Sequence, residues 1–118
     1  LTGYVNEETK HILIKEAEAS ILVGLYEGFG IPPLESMQLG TIPIVSNTTS
    51  LPEVVGEAGI LVDPTSHHSI ADGIKKVLQL TAKNKAKYRK EMRKQLKKFT
   101  WEASAKTVLT TLIEVAKK

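Results

Sequence analysis

Three short apolar runs, Ser20–Leu25, Ile42–Ser46 and Ile60–Val62, lie between segments whose apolar residues recur with a helical period. The runs do not alternate with polar residues, as a half-exposed strand would, and they are too short to be helices. Strands of this kind are buried on both faces, and few architectures bury both faces of a strand. The favoured one is a parallel sheet covered by helices on each side. The predicted class is therefore α/β, a doubly wound, Rossmann-like sheet of about four strands, with Leu1–Val5 as the first of them.

The connecting segments carry local helix signals. Asn6 is a plausible N-cap for a helix near 7–18, whose first turn places Glu7 and Glu8 at the positive end of the dipole. Pro32 and Pro33 suit the opening turn of a helix that runs to about Leu39, and Gly40 suits its C-terminal stop. A helical turn over Leu51–Glu57 precedes the strand Ile60–Val62, which Asp63-Pro64 ends. Ser66 caps a helix with Ile70, Ile74, Val77 and Leu78 on one face. A basic helix over about 84–98 follows, and Thr100 caps a last helix. Its stripe is Ala105, Val108, Leu109, Leu112, Ile113 and Ala116, with Trp101 at its start.

Size and charge narrow the possibilities. The 118 residues suit one domain, 1–118, with its C-terminal helices over about 84–118. The chain has no cysteine, which excludes disulfides, thiolate metal sites and a cysteine nucleophile. No apolar run approaches the roughly 18 residues of a membrane helix. The net charge of +3 conceals an asymmetry: residues 1–72 hold two lysines against ten carboxylates, whereas residues 73–118 hold 14 basic residues against three acids. Nine of those cations fall in Lys83–Lys98, a cluster able to contact phosphate groups or an anionic membrane, or simply to form a solvated helix face. The aromatics beside it, Tyr88 and Phe99, continue the apolar stripe of Met92 and Leu96, so they read as core and not as base-stacking platforms.

The segment with the most chemistry is Leu25-Tyr26-Glu27-Gly28-Phe29-Gly30-Ile31-Pro32-Pro33-Leu34-Glu35. It leaves a strand, passes two glycines and opens a helix. Gly28 and Gly30 allow close backbone approach, and the N–H groups of Phe29, Gly30 and Ile31 can face an anion at the helix start. The two prolines supply no donor, so the usable N–H groups stop at Ile31 and resume at Leu34. Glu27 and Glu35 flank the loop, eight residues apart. Carboxylates accept hydrogen bonds and repel phosphate, so they suit sugar hydroxyls. By spacing alone, a glycine turn with two surface glutamates is an equal reading.

The order of blocks adds to that spacing. Glu27-Gly-Phe-Gly-Ile-Pro-Pro-Leu-Glu35-Ser-Met37 resembles the Glu-x7-Glu motif of retaining glycosyltransferases with the GT-B fold, most closely family 4. The resemblance continues through Gly40-Thr-Ile-Pro43-Ile-Val-Ser46-Asn47, Leu51-Pro52-Glu53-Val54-Val55-Gly56 and Ala58-Gly59-Ile60-Leu61-Val62-Asp63-Pro64, and ends at Phe99-Thr100-Trp101-Glu102. It implies the C-terminal part of a donor-binding domain, in a nucleotide-sugar-dependent hexosyltransferase of polysaccharide or glycoconjugate biosynthesis. Glu35 would accept hydrogen bonds from the nucleotide ribose. Glu27, the candidate catalytic residue, would contact the transferred sugar. Gly28, Phe29, Gly30, Ile31 and Leu34 would complete the donor-binding set, with the N–H groups of Phe29 and Gly30 on sugar hydroxyls and that of Ile31 toward the diphosphate. The resemblance implies no metal and no cofactor beyond the nucleoside diphosphate sugar, and the chain has no Asp-x-Asp pair.

There are departures. Val23-Gly24 stands where such proteins often have Pro-Ser, and Pro43 falls one place later after the glycine than usual. The family's Arg and Lys phosphate clamp has no counterpart, since Lys10 and Lys15 lie on a different kind of element, and the N-terminal acceptor domain is missing. The expectation is a piece of a longer protein, inactive by itself, cytoplasmic and in peripheral contact with the inner face of the membrane through the cations of 83–98. No nucleic acid is expected as partner. The alternative is a non-catalytic α/β module that binds anions or nucleic acid through the basic helix. His11, His67 and His68 read as surface helix positions, and Ser46, Thr48 and Thr49 lack the partners of a hydrolase triad. Asn47, Thr48 and Thr49 read equally as a plain loop or as lining of a donor cleft.

Overall fold

The computed structural model describes residues 2–117. Its first helix, α1 (Glu7–Glu16), is capped as expected, with the Asn6 side chain accepting the Thr9 N–H at 2.9 Å. Three parallel strands follow: β1 (Ala19–Leu22), β2 (Ile42–Ser46) and β3 (Ile60–Val62), in spatial order β1-β2-β3. Ile21 lies opposite Ile44, and Ile44 opposite Ile60. Between them run α2 (Ile31–Gln38), α3 (Leu51–Val55) and a 3-10 turn at Gly56–Ala58. The chain closes with α4 (His67–Leu78), α5 (Ala82–Leu96) and α6 (Trp101–Ala116). This is the expected parallel sheet flanked by helices.

Two strand expectations need correction. Leu1 lies outside the described residues, and Thr2–Val5 form no strand, so the sheet has three strands there and not about four. The reason is local: Gly3 turns the chain at φ 65°, outside the extended region, and leaves Tyr4 98% exposed. The strand expected over Ser20–Leu25 is shorter, and it is not buried on both faces. Among the described residues β1 pairs only with β2, and Ile21 is 53% exposed on this edge.

The centre of the sheet behaves as the apolar runs require. All five residues of β2 are buried. Its side chains alternate between two clusters, as the two-residue period of a strand dictates. Ile42 and Ile44 join Ile60, Val62, Met37, Val77 and Met92, whereas Val45 joins Leu51, Val54 and Val55 of α3. α4 sits on the Ile44 face because Gly73 lets it: a Cβ there would lie 2.6 Å from Val62 Cγ1. Ser66 caps α4 by accepting the Ser69 N–H at 3.2 Å.

The basic helix α5 starts two residues before the expected 84 and is capped by Thr81. Its apolar stripe is core: Met92 is buried, and Tyr88, Leu96 and Phe99 pack against the clusters. Gln95, which no sequence signal singled out, is buried and donates through Nε2 to the carbonyls of Glu53 (2.7 Å) and Val54 (3.0 Å). Those carbonyls lie in the last turn of α3, where a helix needs outside partners. Thr100 caps α6 as expected, accepting the Ala103 N–H at 3.1 Å. The stripe of α6 stays uncovered among the described residues, with Trp101 90% exposed and Leu109, Leu112 and Ile113 also exposed.

Candidate functional site

The glycine loop leaves the carboxyl end of β1 and enters α2, the position at which open parallel sheets present ligands. Serine side chains of the neighbouring strand and loop hold it in place. Beyond the last ladder pair, Leu22 with Val45, the Ser46 hydroxyl takes over the role of a backbone partner. It accepts the Gly24 N–H at 2.9 Å and donates to the Gly24 carbonyl at 2.7 Å. Four residues further along, the Ser50 hydroxyl donates to the Glu27 carbonyl at 3.0 Å. Phe29 meets Phe99 edge to face, with ring centroids 6.0 Å apart, so the turn between α5 and α6 also braces the loop.

Gly30 is the N-cap of α2 and sits at φ 108°, a value that an L side chain rarely adopts. It is also buried, and a Cβ would lie 2.9 Å from Leu51 Cδ2. Gly28 is different: it is exposed and has nothing within 4 Å of such an atom. Pro32 and Pro33 occupy the first turn of α2, so the donors available there are the N–H groups of Ile31 and Leu34. Among the described residues, no hydrogen bond engages the N–H of Phe29, Gly30 or Ile31. Gly40 ends the helix at φ 82°: its N–H bonds to the Met37 carbonyl, and the Thr41 N–H bonds to the Ser36 carbonyl.

The two glutamates stand at opposite ends of this cradle. Glu27 is half-buried, and its Oε1 accepts the Gly28 N–H at 3.1 Å. Glu35, in the second turn of α2, is also half-buried and is met by Lys10 Nζ of α1 at 3.3 Å. Lys10 reaches Glu7 as well, at 2.8 Å. Hydrogen bonds to Glu7 first and Glu35 second hold the Lys10 ammonium above its ordinary pKa. Leu34 turns its side chain into both core clusters, which leaves its backbone as the part able to face a ligand. Ile31 and Phe29 present exposed side chains.

The structure thus gathers Glu27, Gly28, Phe29, Gly30, Ile31 and Glu35 along one loop and helix start. Lys10, Ser46, Ser50 and Leu51 are the participants that the sequence did not reveal, because their partners lie 21 to 25 residues away along the chain. The surface is open. A concavity of about 530 Å³ lies instead between α4 and α5, with Lys76, Leu80, Lys87 and Tyr88 in its wall, and it includes neither glutamate.

Comparison with known proteins decides the family. The family described as "Glycosyl transferases group 1" matches residues 1–99, most of the chain. This chain belongs to it. The glycosyl transferases group 1 chain is 39% identical over 107 residues to O-antigen chain mannosyltransferase B of Escherichia coli, a match that covers 85% of this chain and 26% of that protein. It is 28% identical over 115 residues to the GDP-mannose-dependent alpha-(1-6)-phosphatidylinositol dimannoside mannosyltransferase of Mycobacterium tuberculosis, covering 94% of this chain and 29% of that one. Among solved structures, it superposes with a TM-score of 0.86 on the UDP-forming alpha,alpha-trehalose-phosphate synthase of Burkholderia vietnamiensis. That match has 16% identity, covers 99% of this chain and 27% of the synthase, and shows the shared fold. The glycosyl transferases group 1 chain therefore spans about a quarter of the length of these three proteins.

Proposed function

We propose that this chain is the donor-binding portion of a retaining, nucleotide-sugar-dependent mannosyltransferase. The observation that carries the proposal is the cradle between Glu27 and Glu35: free backbone N–H groups at a helix start, with a carboxylate on each side, at the carboxyl edge of a parallel sheet. Glu35 takes the ribose hydroxyls of the nucleotide. The Ile31 N–H and the α2 dipole face the diphosphate, and the N–H groups of Phe29 and Gly30 face the sugar. Glu27 contacts the transferred sugar beside the anomeric carbon. Its carboxylate now rests on its own Gly28 N–H, so the donor exchanges that contact for one to a sugar hydroxyl. Stabilising the departing diphosphate with fixed dipoles needs no charge rearrangement during the reaction.

The choice of mannose and of GDP rests on the relatives: both curated proteins named above are mannosyltransferases, and one is GDP-mannose-dependent. The acceptor side falls to the remaining three quarters of a polypeptide of their length. Titration of the chain with GDP, UDP, ADP and GDP-mannose, followed by NMR, tests the proposal. Saturable binding with GDP-mannose strongest is the expected result. Binding that is unsaturable, or that falls steeply with salt for any polyanion, would support the anion-binding alternative instead.

A second contact follows from α5. Lys83, Lys87, Lys90, Lys94 and Lys97 recur at four- and three-residue spacing and are all exposed, on the face opposite buried Met92 and Gln95. We propose that this face meets an anionic membrane surface, which suits an acceptor of the lipid class named for the mycobacterial relative. Each lysine near such a surface contributes about 1 kcal/mol. Reversing Lys87, Lys90 and Lys97 to glutamate should therefore lower cosedimentation with anionic vesicles by about tenfold or more once salt screening is allowed for. Unchanged cosedimentation would refute the membrane contact.

A further inference from the structure

We infer that Ser50 is a positioning residue for Glu27, and that the loop between β2 and α3 is shaped to deliver its hydroxyl. This deepens the proposed function and rests on it for the sugar-binding role of Glu27. Two features of that loop make the case. Thr49 holds φ 57°, and for a β-branched residue this left-handed conformation is a true outlier. Its neighbour Thr48 buries Oγ1 without a hydrogen-bond partner among the described residues. A strained backbone and an unsatisfied hydroxyl persist together only where the surroundings over-determine the loop, and such strain gathers at functional sites.

The gain is the contact one residue later. Ser50 does not cap α3: its side chain makes no capping hydrogen bond, although serine at that position ordinarily would. Its hydroxyl instead donates across 23 residues of sequence to the Glu27 carbonyl at 3.0 Å. That bond fixes the peptide plane joining Glu27 to Gly28, and so sets both where the Glu27 carboxylate emerges and where the Gly28 N–H beneath it points. Gly28 is exposed, and nothing lies within 4 Å of a Cβ added there, so side-chain packing does little to hold this peptide. With the Ser46 clamp on Gly24, the two hydroxyls of β2 and its following loop hold the chain on both sides of Leu25-Tyr26. Glu35 sits on α2 and has no part in this arrangement.

The test separates sugar from nucleotide. In the full chain, Ser50→Ala should reduce the affinity for GDP-mannose by about three- to tenfold, the range of one lost hydrogen bond, with the affinity for GDP within twofold of the parent. Ser50→Thr, which keeps the hydroxyl, should restore the difference. A Ser50→Ala variant that loses GDP and GDP-mannose equally, or neither, overturns the inference. Amide NMR of the ligand-free chain gives an independent reading: signals of Gly28 and Phe29 should shift or broaden in Ser50→Ala and return in Ser50→Thr. Undisturbed signals also overturn it. If the unaltered chain binds neither GDP nor GDP-mannose, the donor-binding proposal fails, and the amide signals still decide whether Ser50 positions Glu27.

Discussion

Glu35→Ala is expected to weaken nucleoside diphosphate binding by about 10- to 100-fold, measured by calorimetric or NMR titration. The estimate follows from the chemistry of the group removed. Hydrogen bonds to an ionised partner are each worth about 1.5–3 kcal/mol, and a factor of ten in affinity corresponds to about 1.4 kcal/mol. The carboxylate stands in the second turn of α2, half-buried and steadied by Lys10 at 3.3 Å. Its loss should hardly touch stability, because Lys10 is left with Glu7 at 2.8 Å and a solvent-screened ion pair contributes little. Lost affinity with an unchanged melting temperature is the pattern that marks Glu35 as a ligand contact. Equal binding by the variant would remove Glu35 from the site and with it the ribose assignment.

Gly30→Ala should damage fold and site together. The residue holds φ 108°, and strained backbone of that kind costs about 1–3 kcal/mol when a Cβ is added. The new methyl would also lie 2.9 Å from Cδ2 of fully buried Leu51, an overlap that forces repacking at a further cost of about 1–3 kcal/mol. Together these should lower the melting temperature by roughly 10 °C or more in a domain of this size. Gly28→Ala is the internal control, since nothing lies within 4 Å of its added Cβ and its φ is not in the left-handed range. Thermal denaturation of the two variants should therefore differ sharply. A Gly30→Ala protein as stable as Gly28→Ala would mean that the N-cap of α2 relaxes freely, contrary to the packing of Leu51 and Val54 against it.

These two positions show unequal legibility. Gly30 and Glu35 both stand within the Glu-x7-Glu block, and the cap residues Asn6, Ser66 and Thr100 each bond three residues ahead as their types predict. The basic helix displays its lysines outward and buries Met92, as its periodicity requires. Expectation failed where a neighbour decided the outcome. Ser20–Leu25 is apolar enough for a central strand, but among the described residues β1 has β2 on one side and no strand on the other, which exposes Ile21. Leu1–Val5 has strand-like composition, yet Gly3 turns away from the extended region. The stripe expected on α6 is present, and it lies exposed among the described residues.

The sequence by itself determined the helix starts at Asn6, Ser66 and Thr100, the stop at Gly40, the parallel α/β class and the loop that presents two glutamates. Those signals act within a few residues or repeat with a period, so backbone sterics and burial read them directly. Only the tertiary structure decided that Lys10 meets Glu35, that Gln95 closes the end of α3, and that Ser46 and Ser50 hold the glycine loop. Each of those contacts joins residues 22 to 42 positions apart, and a short-range hydrogen bond across such a distance exists only after the sheet has brought its strands together.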